Sequence, residues 1–469
     1  MPDRAHRLAY PDYRDSGLSW LGAIPAHWDV RRCKYLFREV DERSDKGEET
    51  HLSMSQKHGL IPSRDLGGRR LHSESYAGGK LCETNDLVLN RLKAHLGVFA
   101  MARQPGVISP DYTVLRPICD GNPEFFMHVF KTPSCTAELR CSTKGIVEGF
   151  WRLYTDDFYN VRVPVPALDE RETILRFIRS LDARVRRFIR NRRRLIEVLN
   201  EQKQAIIERA FTRGLDPGVR LKPSGIDWLG DVPQHWELRR LKYLVQNINE
   251  QTSSLRNGDL YVALEHVESW TGRLALPDGE VSFDSQVKRF RGGDILFGKL
   301  RPYLAKVTQP QQAGVCVGEF LVLRPSDATI LPSFLEQKLR SKQIIDLVNS
   351  STFGAKMPRA DWTFIGNVQI AFSPKHDEQA MILNRIARET ATLTSAIERI
   401  QCEIALVQEY RTRLIADVVT GKVDVRHLAP DAVEAAVEEP EEWEEAEDMI
   451  DGQDAGDLEA VEEMADADD

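Results

Sequence analysis

The chain of 469 residues has no apolar run approaching the ~18 consecutive residues that a membrane span requires, although 42% of its residues are hydrophobic. Its first residues, MPDRAHRLAYPDYRD, show no apolar core of a secretory leader, so a cytoplasmic location is expected. Seven cysteines (Cys33, Cys82, Cys119, Cys135, Cys141, Cys316 and Cys402) are an odd, scattered set with no Cys-x-x-Cys pair and no His at zinc-ligand spacing. That argues against a disulfide framework and against a metal site; the thiols read as buried or idle.

Catalytic signatures are also missing. No Asn/Asp-Pro-Pro-Tyr/Phe segment of the kind that holds a flipped base for amino-methylation is present. Gly293-Asp-Ile-Leu-Phe-Gly298-Lys299-Leu300 has the spacing of a phosphate loop, but it ends in Leu where a Mg²⁺-binding Ser or Thr is needed, and its interior reads as a strand. Glu201-Gln-Lys203 has a nuclease-like Glu-x-Lys spacing inside a helical pattern, where it reads as surface charge. A self-contained enzyme has little to stand on.

The net charge of −9 conceals a division. Residues 431–469 hold 19 Asp and Glu and no Lys or Arg, so the preceding 430 residues keep 53 acids against 63 bases, a net +10. A basic body attracts polyanions through a sequence-independent, salt-sensitive term, although a mild excess of this size also occurs on proteins that bind none. The acidic end is too poor in apolar area to offset chain entropy and is expected to be disordered, either a plain solubilising tail or a competitor for the basic surface.

What the chain does have is a repeat. Residues 16–37, SGLSWLGAIPAHWDVRRCKYLF, match residues 224–245, SGIDWLGDVPQHWELRRLKYLV, at 13 of 22 positions without a gap, an offset of 208. The same offset relates Asp86-Leu87-Val88-Leu89 to Asp294-Ile295-Leu296-Phe297, Val114-Leu115-Arg116-Pro117 to Val322-Leu323-Arg324-Pro325, and Asp169-Glu170 to Asp377-Glu378. One unit has been duplicated over nearly everything before the tail. Between the anchors the copies diverge, as when a scaffold is kept and the surface it carries changes.

Each copy opens with two Trp eight residues apart around Gly and Pro, a compact turn pinned by aromatic burial. Short β-like runs follow at 86–89, 112–115 and 161–165, and at 294–297, 320–323 and 368–372, with helices at 124–130 and 333–348. Long helices then begin. Ile174, Ile178, Leu181, Val185, Phe188, Leu195, Leu199 and Ile206 form a heptad stripe broken by Arg192 and Gln202; Ile386, Leu393, Ile397, Ile400, Ile404, Val407, Leu414 and Val418 form a second, less regular one. Two such stripes in one chain most simply pair as antiparallel helices, each roughly 60 Å long. The expected fold is α+β: mixed domains at 1–167 and 216–375, heptad helices at 168–215 and 376–426, internal pseudo-two-fold symmetry, and a tail from 427.

The repeated Trp-Leu-Gly-x-Ile/Val-Pro-x-His-Trp opening, the Leu-Arg-Pro strand ends, the Asp-Glu helix starts and the domain–helix–domain–helix order resemble the specificity subunit of type I restriction-modification systems over residues 16–425. The resemblance implies a non-catalytic DNA reader. Each copy would be a target recognition domain for one half of a split, asymmetric site on double-stranded DNA. The helices would set the unread spacer and hold two modification subunits, while restriction subunits complete the complex. S-adenosylmethionine, ATP and Mg would be used by those partners, and no cofactor by this chain. The competing classes are an enzyme with fused recognition domains and a stand-alone DNA-binding regulator.

Reading bases needs Arg, Lys, Asn, Gln or His at groove edges, and positioning needs cations at phosphates. Arg91, Lys93, His95, Lys144 and Arg152 are the candidates in the first copy; Lys299, Arg301, Tyr303, Lys306, Lys356 and Arg359 are those in the second, against a plain reading of solvated surface charge. Subunit-interface candidates are Ile174, Ile178, Leu181, Val185 and Leu195, with Ile397, Ile400, Ile404 and Val407. The first long helix is rich in arginine (Arg184, Arg186, Arg187, Arg190 among others), which would either track spacer phosphates or meet an acidic partner face.

Overall fold

The computed structural model describes residues 9–55, 59–65, 76–118, 122–145, 151–256, 258–276, 286–352 and 357–428. The acidic segment 431–469, expected to be disordered, lies outside them, as does Cys119. The chain divides into two units, residues 1–190 with 403–469, and residues 191–402. Each unit therefore holds one copy of the repeat, the first part of the long helix that follows it and the last part of the other long helix.

In the first unit an antiparallel sheet runs in the order Phe37–Val40, Tyr112–Pro117, Leu87–Asn90, Phe99–Met101. In the second unit the order is Val245–Ile248, Phe320–Pro325, Ile295–Gly298, Val307–Thr308. Even the register repeats, with Tyr112 opposite Asn90 and Phe320 opposite Gly298. Burial explains the alternation. Leu87 and Leu89 join the large core of their unit, while Val88 turns to a smaller cluster with Val40, Ala100 and Val114. Ile295 and Phe297 against Leu296 do the same in the second unit. Both faces of the sheet are covered, so its central strands read as continuous apolar runs.

The copies differ beside this sheet. Lys80–Cys82 pairs with Gly106–Ile108 in the first, next to a hairpin of Leu52–Ser55 and Gly59–Pro62. Val287–Phe290 pairs with Gly314–Cys316 in the second, extended by Gln251–Thr252 and by Leu260–Val262, the latter parallel. The expected helix over 333–348 is two helices, Pro332–Leu339 and Lys342–Ser350. The first copy breaks likewise, between Pro123–Phe130 and Pro133–Cys141. Apolar periodicity alone does not reveal such a break, because Ile344, Ile345 and Val348 still reach the same core as Phe334 and Leu335.

The two long helices span Leu168–Arg213 and His376–Val419. In the first unit Ile174, Leu175 and Ile178 share a core with Ile415, Val418 and Val419, and Asp182 accepts Arg411 Nε at 2.7 Å and Nη2 at 2.9 Å. Rising numbers on one helix meet falling numbers on the other, so the segments are antiparallel. In the second unit Ala210 and Phe211 pack with Ile382 and Ile386, and Arg385 donates to the Leu215 carbonyl at 2.7 Å, again antiparallel. Asp169 and Glu170, like Asp377 and Glu378, occupy first turns, where carboxylates complement the helix dipole. Gly214 and Gly421 follow the last turns with φ of +70° and +80°. At Gly421 a Cβ would sit 2.3 Å from Pro25 Cδ and 3.0 Å from the Trp28 ring, so glycine is required twice over.

The repeated opening motif clamps these helices. Trp28 and Trp236 are each 1% exposed. His27 Nε2 lies 2.8 Å from Glu170 and His235 Nε2 lies 2.9 Å from Glu378, so the His-Trp turn grips the first turn of the helix that leaves its own copy. Trp236 Nε1 also donates to Glu378 at 3.0 Å, whereas Trp28 Nε1 is buried without a hydrogen-bond partner among the described residues. Asp86 accepts Arg116 through Nε and Nη2, both at 3.0 Å; Asp294 accepts Arg324 the same way at 2.9 and 2.7 Å. The Leu-Arg-Pro strand ends are thus one half of a buried ion pair. Among the described residues no helix is long and apolar enough to cross a membrane.

Candidate nucleic-acid interface

In the first copy, Arg91, Lys93 and His95 fall on the short 3-10 segment Arg91–Leu96 after strand Leu87–Asn90. Asn90 starts that segment by accepting the backbone N–H groups of Leu92 and Lys93, as expected of an Asn at such a start. Lys144 and Arg152 are bridged, each backbone N–H donating to the other's carbonyl at 2.9 Å. The next residue, Leu153, donates to the Arg91 carbonyl at 3.1 Å. Two segments 62 residues apart in sequence, at Arg91 and Leu153, are brought to one edge. There the Arg91 side chain donates to the Asp111 carbonyl at 3.0 Å, and Lys144 pairs with Asp157 at 2.7 Å. Arg152 is exposed.

The second copy closes its edge with an equivalent hydrogen bond and a different bridge. Ala360 donates to the Lys299 carbonyl at 2.9 Å, as Leu153 does to that of Arg91, and Arg301 N–H donates to the Pro358 carbonyl at 2.9 Å. Leu300 and Arg359 bridge the two segments. Lys299, Arg301 and Arg359 therefore share one edge, while Lys356 lies outside the described residues. Arg301 and Ala305 flank the turn Pro302–Leu304 with φ of +49° and +48°, where Gly97 holds the place of Ala305 in the first copy. A left-handed arginine costs about 1 kcal/mol or more and persists only where its surroundings fix it; here Pro302 and the bond to Pro358 do so. Tyr303 is half-buried on that turn.

Lys306 is not a free cation. Its Nζ donates to the Leu264 carbonyl at 2.7 Å, and burial holds its pKa below the usual lysine value against the pull of Glu265. That bond ties the Lys306 segment to the Leu264 loop. Sequence reasoning also missed an acid at each edge. Glu319 pairs with Arg359 at 2.9 Å, its other carboxylate oxygen is buried without a hydrogen-bond partner among the described residues, and its carbonyl accepts Lys299 N–H at 2.9 Å. Lys288 stands nearby, its pKa lowered by burial and by the Lys299 charge. Asp111 is the counterpart of Glu319 at the 208-residue offset, a signal that was present in the sequence.

The interface candidates on the helices divide by exposure. Ile174, Ile178 and Val185 are at most 8% exposed, and Ile397 and Ile400 at most 9%. Ile174 and Ile178 sit in the core of their own unit with the half-buried Leu181 packed against it, so they form part of a seam within the chain. Ile404 and Val407 are half-buried. Leu195 is exposed, as Val198, Leu406 and Tyr410 are. Of the helix arginines, Arg179 pairs with Glu124, Arg194 with Glu197 at 2.8 Å, and Arg171 lies over the Phe126 ring.

No family model matches the chain. The type I restriction enzyme MjaVIII specificity subunit of Methanocaldococcus jannaschii is 23% identical over 307 residues, 62% of this chain and 68% of that protein. The type I restriction enzyme EcoDI specificity subunit of Escherichia coli is 22% identical over 300 residues, 59% of this chain and 66% of that protein, so about two thirds of these relatives is spanned. A solved structure from a study of complex assembly and conformational transition in the type I R-M system superposes with a TM-score of 0.56 at 16% identity, covering 84% of this chain and 98% of that one. With its doubled α+β scaffold and two long helices, the chain is thus similar in sequence to type I restriction enzyme specificity subunits and shares the fold of a protein solved from a type I R-M system.

Proposed function

We propose that the chain reads a bipartite, asymmetric site on double-stranded DNA, with residues 1–167 and 216–375 each acting as a target recognition domain for one half. The long helices set the unread spacer, and the chain works in the cytoplasm with two modification subunits and with restriction subunits. Methyl transfer and cleavage belong to those partners. One observation carries the reading: two edges closed by an equivalent hydrogen bond, Leu153 to the Arg91 carbonyl and Ala360 to the Lys299 carbonyl, present unequal residues, Arg91, Lys144 and Arg152 on one and Lys299, Arg301 and Arg359 on the other. A shared frame with different side chains is what two different half-sites need, because base edges are told apart by side-chain donors and acceptors. The basic excess before residue 431 supplies the salt-sensitive share of affinity.

The test is methylome sequencing of cells that carry the chain with its modification subunit, wild type against Lys299→Ala/Arg359→Ala. The wild type marks a split motif, and the variant relaxes or loses one half while the other stays fixed. A single continuous motif, or equal loss at both halves, would overturn the reading.

A further inference from the structure

Both copies carry an exposed aromatic that their folding does not require. The 3-10 turns Cys33–Tyr35 and Leu241–Tyr243 hold Tyr35 and Tyr243 at 60% and 63% exposure. A lysine lies over each ring, Lys34 at 4.8 Å and Lys242 at 5.4 Å from the centroid. Within the same matched segment other exposed positions have drifted: Ser19 against Asp227, Ala23 against Asp231, Ala26 against Gln234. The Lys-Tyr pair has kept its identity, exposure and geometry in both copies. Buried identities such as Trp28 and Trp236 follow from packing, but an exposed ring has no such reason. The common factor is a ligand that is the same at both copies.

The sheet places these turns away from the candidate DNA edges. The turn Cys33–Tyr35 leads into Phe37, which pairs with Pro117, whereas Arg91 follows Asn90, which pairs with Tyr112. The six-residue strand Tyr112–Pro117 separates them by roughly 17 Å. In the second unit Val245 pairs with Pro325 and Gly298 with Phe320, giving the same separation. Around each turn the charge is basic: Arg32 faces Arg162 across a strand pair, and Arg240 precedes the second turn. Tyrosine and arginine are enriched among the residues that anchor protein interfaces.

We propose that the Lys34–Tyr35 and Lys242–Tyr243 turns are two equivalent docking points for two copies of one protein partner, the modification subunit, which would present a carboxylate beside an apolar pocket at each. This rests on the function proposed above and adds the surface that recruits the pair. Arg32 and Arg240 supply the complementary charge, and the tyrosine ring fills the pocket.

The full chain is mixed with its modification subunit and weighed by native mass spectrometry, as wild type, Lys34→Glu/Tyr35→Ala, Lys242→Glu/Tyr243→Ala and the variant altered at both turns. At a concentration that just saturates the wild type with two subunits, each single-turn variant carries one and the last carries none. Affinity at an altered turn falls about 30-fold, Tyr35→Phe keeps it, and melting curves of the free chains coincide. Variants that still load two subunits overturn the inference and leave the proposed function standing. Variants that load two subunits but bind DNA more weakly also overturn it, marking the turns as phosphate contacts. A wild-type chain that recruits no modification subunit defeats both.

Discussion

Replacing Asp294 by Ala removes the acid on which the second sheet is fastened. Its carboxylate is 3% exposed, accepts two bonds from Arg324 and also accepts the Arg291 backbone N–H at 2.8 Å. Truncating one side of a buried pair costs about 3–5 kcal/mol, and Arg324, 23% exposed, keeps some solvent, which favours the lower end. The orphaned N–H adds about 1 kcal/mol. A total near 3–4 kcal/mol in a unit covering residues 191–402 lowers its melting point by about 6–16 °C. Asp86→Ala should cost about 1 kcal/mol less, because Arg116 retains Glu83 at 3.3 Å and Glu42 at 3.8 Å. Differential scanning calorimetry of the full chain is the assay. Asp294→Ala should displace a transition that Asp86→Ala leaves in place, and the reverse. A loss below about 1 kcal/mol for Asp294→Ala, or equal displacement of every transition by both variants, would refute the buried-pair account.

Two further outcomes follow from buried groups. His128 is half-buried in the first unit, and desolvation pushes its pKa from 6.5 down to about 4, with Lys131 and Arg411 adding and Asp182 and Glu124 opposing. The unfolded chain therefore binds the proton first, so stability is lost as pH falls from 6.5 towards 4, by about 2 kcal/mol at pH 5; urea melts at pH 7.5 and pH 5.0 should show this penalty and its disappearance in His128→Gln. Gly421→Ala should destabilise the first unit by more than 1 kcal/mol through its positive φ and the clash with Pro25, whereas Gly318→Ala, with nothing within 4 Å, should melt like the wild type.

The duplicated scaffold was legible because burial repeats in sequence. Asp86 and Asp294, the Leu-Arg-Pro strand ends and both long helices fall where the 208-residue offset and the heptad stripes put them. The functional edges were legible only in part. Lys299 and Arg359 could be chosen as cations, yet nothing local says that a bridge between Leu300 and Arg359 joins their segments, or that Glu319 waits between them. Lys306 looked like its neighbours and proved committed to the Leu264 carbonyl.

By itself the sequence determined that there are two copies of one α+β domain, each followed by a long heptad helix, because apolar periodicity is a local record of which face is buried. Only the tertiary structure decided that His27 and His235 grip Glu170 and Glu378, that Ile174 and Ile178 are used up inside the chain, and which cations share an edge. Those contacts join residues far apart in the chain, 143 positions in each His–Glu pair, and a charge or hydroxyl carries no local mark of the partner that folding will bring to it.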